Sequence, residues 1–475
     1  MDTRRKRRSS LPASLKMPLL AEYIQEFGRF QRNARLYLIS NALNGISIGM
    51  VLVLYNLYLV SLGYQTDFIG LVLFVGTIGA GIAIFPAGIC VDRFSGKSIL
   101  IWSSLLIGLA AVGQFLLRQP LPLLASALVA GIGGAFILVV NAPFLTTHST
   151  PRERSLLFSL NIVLVLITTV LGEVVGGALP LWFRSMPWFM TSVPTWLLAS
   201  QAVPRSYQLA LLFAGVIAIP SMIPIFLMEN DRPDKHSNPA VVVEDREGRP
   251  GLLQQARATL SRLRLQGDWP AMLGSSLFAL VMLQVLTGMG AGLFIPYFNI
   301  YFVQHLGASS ALFGVIDGGA NALNAVLTLV APWLALRIGK VSTITFTRLL
   351  SIPLMLVVGL TNILPVAAFL YPLRQGTMDM SAGILQVFSM EVVPRQHRGL
   401  ANSSYQAAFQ IAWALTAPIG GLIIAHLGFT PVFIAAAVLY LLAIALLWGR
   451  FGRHGSMYEV GDEGEPEKEK EVSPA

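Results

Sequence analysis

The sequence is poor in the residues that most enzyme chemistry needs. Its 475 residues include one cysteine, Cys90, and six histidines. A single cysteine forms no disulfide within the chain and rules out any two-cysteine metal site. No histidines pair at ligand spacing, and neither His-Glu-x-x-His nor Gly-x-Ser-x-Gly occurs, which removes the common metal and serine hydrolase signatures. Gly96-Lys97-Ser98 ends like a phosphate-binding loop, but Val91 stands where the first glycine is required. Neither enzymatic activity nor a metal or other cofactor is expected.

Charge is scarce as well. Only 12% of residues are charged, 55% are hydrophobic, and the mean hydropathy is +0.67. So little charge would not cover the surface of a soluble chain of this length. Apolar runs approach the roughly 20 residues that cross about 30 Å of hydrocarbon as helix. They fall near 36–62, 67–91, 98–117, 121–147, 155–180, 206–228, 270–304, 309–336, 341–361, 364–391, 400–425 and 430–449. The alternation of a membrane barrel is absent, and helices satisfy every backbone group within the span. The expected fold class is therefore an all-α integral membrane protein, with twelve transmembrane helices in two pseudo-symmetric six-helix halves.

The halves are expected at 36–228 and 269–449. A basic segment, 1–35, precedes them, with an amphipathic helix at 17–33. A charged linker, 229–268, separates them and carries a second amphipathic stretch at 252–265. An acidic tail, 450–475, follows and is expected to be disordered. The net charge of +9 would suit nucleic acid, but its placement argues for a bilayer. Of 33 Lys and Arg, 28 fall on one side of the spans, three on the other (Arg118, Arg184, Arg205) and two within them (Arg348, Arg374). Positive charge accumulates on the cytoplasmic side, so both termini are expected there, in a multi-pass plasma-membrane protein. No cleavable signal peptide is expected, because no short apolar stretch with a small-residue cleavage site follows Arg4–Arg8.

The two halves repeat each other. Shifted by 243 residues, Gly45 and Gly49 fall on Gly288 and Gly292, Asn56 and Tyr58 on Asn299 and Tyr301, and Gly96-Lys97 on Gly339-Lys340. Pro151-Arg152 falls on Pro394-Arg395, and with one inserted residue Gly176-Gly177 falls on Gly420-Gly421. Matches at loop and span positions under one shift fit parallel halves related along the membrane normal, with a binding site between them near the midplane.

The loop between spans 2 and 3 reads Gly88-Ile-Cys-Val-Asp92-Arg93-Phe-Ser-Gly96-Lys97. It resembles the signature of the major facilitator superfamily, with the second glycine one residue late and one basic residue after it where two are common. The loops ahead of spans 5 and 11, with Pro151 before Arg154 and Pro394 before Arg398, also resemble this family. The resemblance covers about residues 36–449. It implies a gate in which Gly88, Asp92, Arg93, Gly96, Lys97, Arg154 and Arg398 take part, latching the inner side shut. Gly88 would let a neighbouring helix approach the inner end of span 2, and Asp92 would favour a helix N-terminus or pair with an arginine of the other half. The alternative is a solvated basic loop. The resemblance also implies that spans 1, 4, 7 and 10 line the cavity. They supply Asn44, Tyr55, Asn56, Tyr58, Asn141, Tyr297, Asn299, Tyr301, Arg374 and Gln375. Amides, phenols and one cation suit a neutral or weakly anionic small molecule, although each alone could as easily tie helices together.

Ionisable groups inside spans are costly, so each needs an account. Arg348 is read as snorkelling from span 9, while Glu173, near the outer end of span 5, is left open between simply reaching the interface and a role within the membrane. Asp317 and Arg374 sit at similar depths, roughly 12 Å and 15 Å into their spans, and are expected to pair. Asp379 lies deeper. The alternatives for these three are a structural ion pair or a proton relay. In the relay, Asp379 would be the carrier, since Arg374 would hold Asp317 ionised.

The expected function is secondary transport of a small molecule by a functional monomer in the lipid bilayer, coupled to protons, with efflux ahead of uptake. Span 5 lacks the Gly-Pro motif of the family's antiporters, which leaves a sugar or metabolite symporter or facilitator as the alternative. A receptor or structural protein of the same fold is the reading from another class. No nucleic-acid partner is expected.

Overall fold

The computed structural model describes residues 30–150, 153–186, 197–230, 276–392 and 398–452. The segment 252–265, most of 17–33 and nearly all of the linker and acidic tail lie outside them. The described residues form the expected twelve crossings. Spans 1 to 6 are Arg32–Ser61, Thr66–Arg93, Gly96–Leu116, Pro120–Thr147, Arg154–Ser185 and Ala202–Phe226. Span 7 runs over Ser276–His305, spans 8 and 9 are Ser310–Ile338 and Lys340–Leu360, and spans 11 and 12 are Arg398–Leu427 and Phe429–Phe451. Eleven of these are long and apolar enough to cross a membrane. Span 10 is the twelfth, made of two stacked pieces, Leu364–Asp379 and Ala382–Val392. Main-chain bonds from Met380 N to Gly376 O and from Leu385 N to Ser381 O flank the interruption.

Local chemistry sets the ends and irregularities. Spans 8 and 9 are separated by Gly339 alone, at φ 87°, and only glycine takes that conformation without strain. Ser95 caps span 3 by accepting from Ser98 N at 3.2 Å. In span 7 Pro296 has no N–H to give. The helix loosens there into a 3₁₀ turn, Ile295–Tyr297, and ends in a π turn, Tyr301–His305. Span 5 runs through Pro180 to Ser185, beyond the 180 expected for it.

The sequence repeat becomes a symmetry of contacts. Tyr58 donates to Phe115 O at 3.0 Å, and its repeat partner Tyr301 donates to Val358 O at 2.5 Å. Asn56 donates to Pro296 O at 2.7 Å, from span 1 to span 7, and Asn299 returns the bond to Val53 O at 3.2 Å. Thr66 of span 2 donates to Gly421 O at 2.7 Å, and Ser310 of span 8 donates to Gly177 O at 2.8 Å. Phe115 and Val358, and Val53 and Pro296, are equivalent under the shift of 243, Gly177 and Gly421 are equivalent past the inserted residue, and Thr66 and Ser310 are each the first residue of their span. The tyrosine bonds hold each half together, and the bonds of Asn56, Asn299, Thr66 and Ser310 cross between the halves, given and received.

These bonds lie on one face. Thr66 and Ser310 begin their spans on the face opposite the described chain ends, and Gly177 and Gly421 approach the ends of theirs there. Backbone meets backbone at these points: a Cβ on Gly70 would stand 2.6 Å from Pro418 Cα. On the terminal face, where spans 1 and 12 end, the bonds found stay within one half. Arg32 pairs with Glu229 at 2.9 Å, and Lys340 Nζ pairs with Glu391 at 2.5 and 2.7 Å. The halves thus seal the face opposite the termini.

Candidate functional site

The family-like loop stands on the unsealed side. Gly88 does not receive a neighbouring helix, because a Cβ there would meet nothing within 4 Å. The close approach expected at Gly88 is absent with this face apart. Arg93 is exposed at the end of span 2. Gly96 opens span 3 against Phe144, whose Cδ2 would be 2.7 Å from an added Cβ. Lys97 Nζ donates to Met228 O at 2.6 Å, tying the loop to the end of span 6. Arg154 reaches back to Thr146 O at 3.3 Å and Ser149 Oγ at 3.4 Å. Among the described residues these contacts stay in the first half. The side chains of Asp92 and Arg398 lie outside the described part.

The expected cavity residues divide into two groups. Asn56, Tyr58, Asn299 and Tyr301 spend their polar atoms on backbone carbonyls, as above, and Tyr297 donates to Ala417 O at 2.6 Å. In this conformation these five are buried ties between helices, not a lining. Four of them are repeat partners, and a bond given identically by both halves serves their packing. Tyr55 Oη and Asn141 Oδ1 make no hydrogen bond among the described residues, and Asn44 and Gln375 are half-buried. These four keep polar capacity for a ligand.

The charged residues depart most from expectation. Asp317 and Arg374 do not pair. Asp317 Oδ1 accepts from Tyr371 Oη at 2.7 Å. Arg374, 3% exposed, turns into the second half instead, its guanidinium 4.9 Å from the Phe294 ring centroid and 6.0 Å from those of Phe298 and Tyr440. Its Nη2 lies 3.4 Å from Tyr440 Oη, and its Nε has no partner among the described residues. Arg348 does not snorkel. It is 6% exposed and turns inward, with Nη1 3.5 Å from Thr287 Oγ1. The carboxylate within electrostatic reach of both arginines is Asp379, which is itself exposed. The argument that Arg374 keeps Asp317 ionised therefore loses its premise, and the cations stand by Asp379.

Glu173 is also misplaced by the sequence. Because span 5 continues to Ser185, Glu173 lies twelve residues from that end, about 18 Å, and so near mid-membrane. It is 1% exposed. Asn321 Nδ2 of span 8 donates to both its carboxyl oxygens, at 3.0 and 3.1 Å, and Gln375 Nε2 of span 10 donates to Asn321 Oδ1 at 2.9 Å. Asp317 and Tyr371 form the rung one turn away on the same two helices. A carboxyl of one half is thus held by an amide of the other. The signal was present in the sequence, as Glu173 and Asn321 are polar residues inside apolar runs, but their partnership was not.

The sequence matches the family model of the Major Facilitator Superfamily over residues 37–373 and again over 280–473. The chain belongs to that family. Its fold is similar to a bacterial homologue of the human lysosomal transporter Spinster in the inward-facing, unoccupied conformation (TM-score 0.65, 14% identity, covering 90% of this chain and 97% of that one). It is also similar to a bacterial homologue of the iron transporter ferroportin in the inward-facing state (TM-score 0.64, 15% identity, 88% and 98%). A third similar structure is a D-xylose–proton symporter (TM-score 0.62, 14% identity, 88% and 97%). No curated protein matches the sequence. The twelve-helix superfamily fold, with its two six-helix halves, is therefore the architecture in which these seams and buried charges are placed.

Proposed function

We propose that this superfamily member is a secondary transporter, not an enzyme, which moves a small molecule across the plasma membrane by alternating access and couples that movement to protons. The observation that carries the reading is the asymmetry of the seal. Identical bonds from both halves close one face, while the gate motif on the other face stands apart. A rocking carrier needs two such faces, closed in turn. With the termini cytoplasmic, this conformation is inward-facing, the state in which an exporter loads, and export is placed ahead of uptake. Tyr55, Asn141, Asn44 and Gln375 suit a neutral or weakly anionic solute, bound by a monomer.

A thermal-shift screen of sugars, nucleosides and amphipathic drugs on the purified protein identifies a substrate. Proteoliposomes then measure its movement with and without a pH gradient. Accumulation that follows the gradient is expected. Equilibration that ignores the gradient would make the protein a facilitator, and binding with no flux would make it a receptor.

Orientation has its own check. In a Cys90→Ser background, a membrane-impermeant thiol reagent on intact cells is expected to label Gln119→Cys but not Phe94→Cys. The reverse pattern would invert the topology and turn the conformation outward-facing.

A further inference from the structure

The two seams between the halves are equivalent in their bonds but not in their chemistry. Under the repeat Glu173 falls on Ala417, and counted from the starts of spans 2 and 8 Asn321 falls on Thr77. In the seam of spans 2 and 11, Thr77 simply bonds Leu73 O of its own helix at 3.0 Å. In the seam of spans 5 and 8, the same place holds a buried carboxyl bound across the interface. Packing alone has no use for that difference, since the twin seam closes without it.

The surroundings of Glu173 decide what it can do. From span 8 it faces Asp317 and Asn321, and from span 10 Tyr371 lies behind them with Gln375. From span 1 at Gly49 and from span 8 at Gly314 the helices pack so close that an added Cβ would press on the backbone of Glu173. Arg374 is within electrostatic reach of Tyr371 and turns into its aromatic surround. No ion pair reaches Glu173 among the described residues. With the seam shut, an ionised Glu173 would have one amide donor, a second carboxyl nearby and no water. With the seam parted, water would solvate it. A proton on Glu173 removes the charge and leaves an oxygen to accept from Asn321, so protonation and closure favour each other.

We infer that Glu173 is the proton-binding residue of the transport cycle. It takes its proton from the face opposite the termini while that face is open, and the protonated form lets spans 5 and 8 close. Asn321, held by Gln375, positions the carboxyl. Asp317, half-buried on the rung one turn nearer the sealed face, is the relay through which the proton arrives from that face. The inference rests on the proton-coupled reading above and specifies which carboxyl carries it: Glu173, held across the seam between the halves, in place of Asp379, which stands by two arginines within the second half.

The test reads closure directly and needs no substrate. Spin labels go on Gln119→Cys and Asn362→Cys, exposed positions on the sealed face in different halves, in the Cys90→Ser background. Their distance distribution is measured between about pH 5 and 9, a range that spans a perturbed carboxyl. The short distance is expected to dominate at low pH, and its ratio to the long one is expected to fall about tenfold or more as pH rises. Glu173→Gln is expected to stay short throughout. Glu173→Asp and Asp317→Asn are each expected to keep a pH-dependent shift. A wild-type pattern in Glu173→Gln, a flat response in the wild type, or loss of the response in Asp317→Asn would each overturn the assignment. Failure to find a substrate leaves this readout intact, and a flat response leaves alternating access intact, so the two readings fail separately.

Discussion

Gly421→Leu is expected to abolish transport and hold the halves apart on the face opposite the termini. A Cβ at Gly421 would press on the backbone oxygen of Thr66 and stand 2.6 Å from Tyr297 Oη. Thr66 cannot withdraw alone, because its hydroxyl donates to Gly421 O from the same turn. Overpacking a tight contact costs about 3 kcal/mol where backbone must move, which shifts a two-state balance roughly 150-fold. Gly177→Leu is expected to act in the same way in the twin seam, against Ser310 and Ala311. Gly88→Leu is expected to do the reverse. A Cβ there meets open space in this conformation, so it leaves the present state untouched and obstructs closure of the gate motif on the terminal face. The spin-label pair on the sealed face, combined with flux in proteoliposomes, separates the cases. Normal transport in Gly421→Leu would mean that this seam does not close during the cycle. A long distance in Gly88→Leu would remove that residue from the gate.

The parts legible in the sequence are those that hydropathy and repetition encode. Long apolar runs gave the number of crossings because the bilayer leaves helices as the only economical backbone. The repeat gave the parallel halves, and at Asn56 and Asn299 it also marked a real contact, though one between helices and not with a solute. What the sequence withheld was rotation about each helix axis. Hydropathy places Arg348 at a depth in span 9 but not at an angle about its axis; the side it takes is the one where Thr347 and Ser351 are also buried. Depth failed at Glu173 for a different reason. Pro180 read as the end of span 5, yet a proline near the end of a lipid-embedded helix is tolerated when its neighbours supply the lost bond, and five more residues moved Glu173 to mid-membrane. Pairings across helices, such as Asp317 with Tyr371, need both depth and rotation, and they were the least legible of all.

The arginines and aspartate of the second half give the other large effect, an asymmetry between two neutralisations. Arg348 and Arg374 share one carboxylate, Asp379. Removing Asp379 leaves two buried guanidiniums with aromatic rings, Thr287 and, among the described residues, no carboxylate that acts on both. Removing one partner of a fully buried pair costs about 3–5 kcal/mol. Asp379 is exposed, which screens part of that, so Asp379→Asn is expected to lose roughly 2 kcal/mol. Arg374→Met removes a cation instead and leaves Arg348 and Asp379 balanced. Methionine fills the space among Phe294, Phe298 and Tyr440 without a charge to desolvate, and such replacements are often neutral. The lost cation–π contact costs about 1 kcal/mol, so Arg374→Met is expected to be the milder change. Thermal unfolding of both variants in the same detergent ranks them. If Arg374→Met proves the more damaging, the arginine is held by its aromatic surround and not by Asp379, and the charge count that places Asp379 with the cations would fail with it.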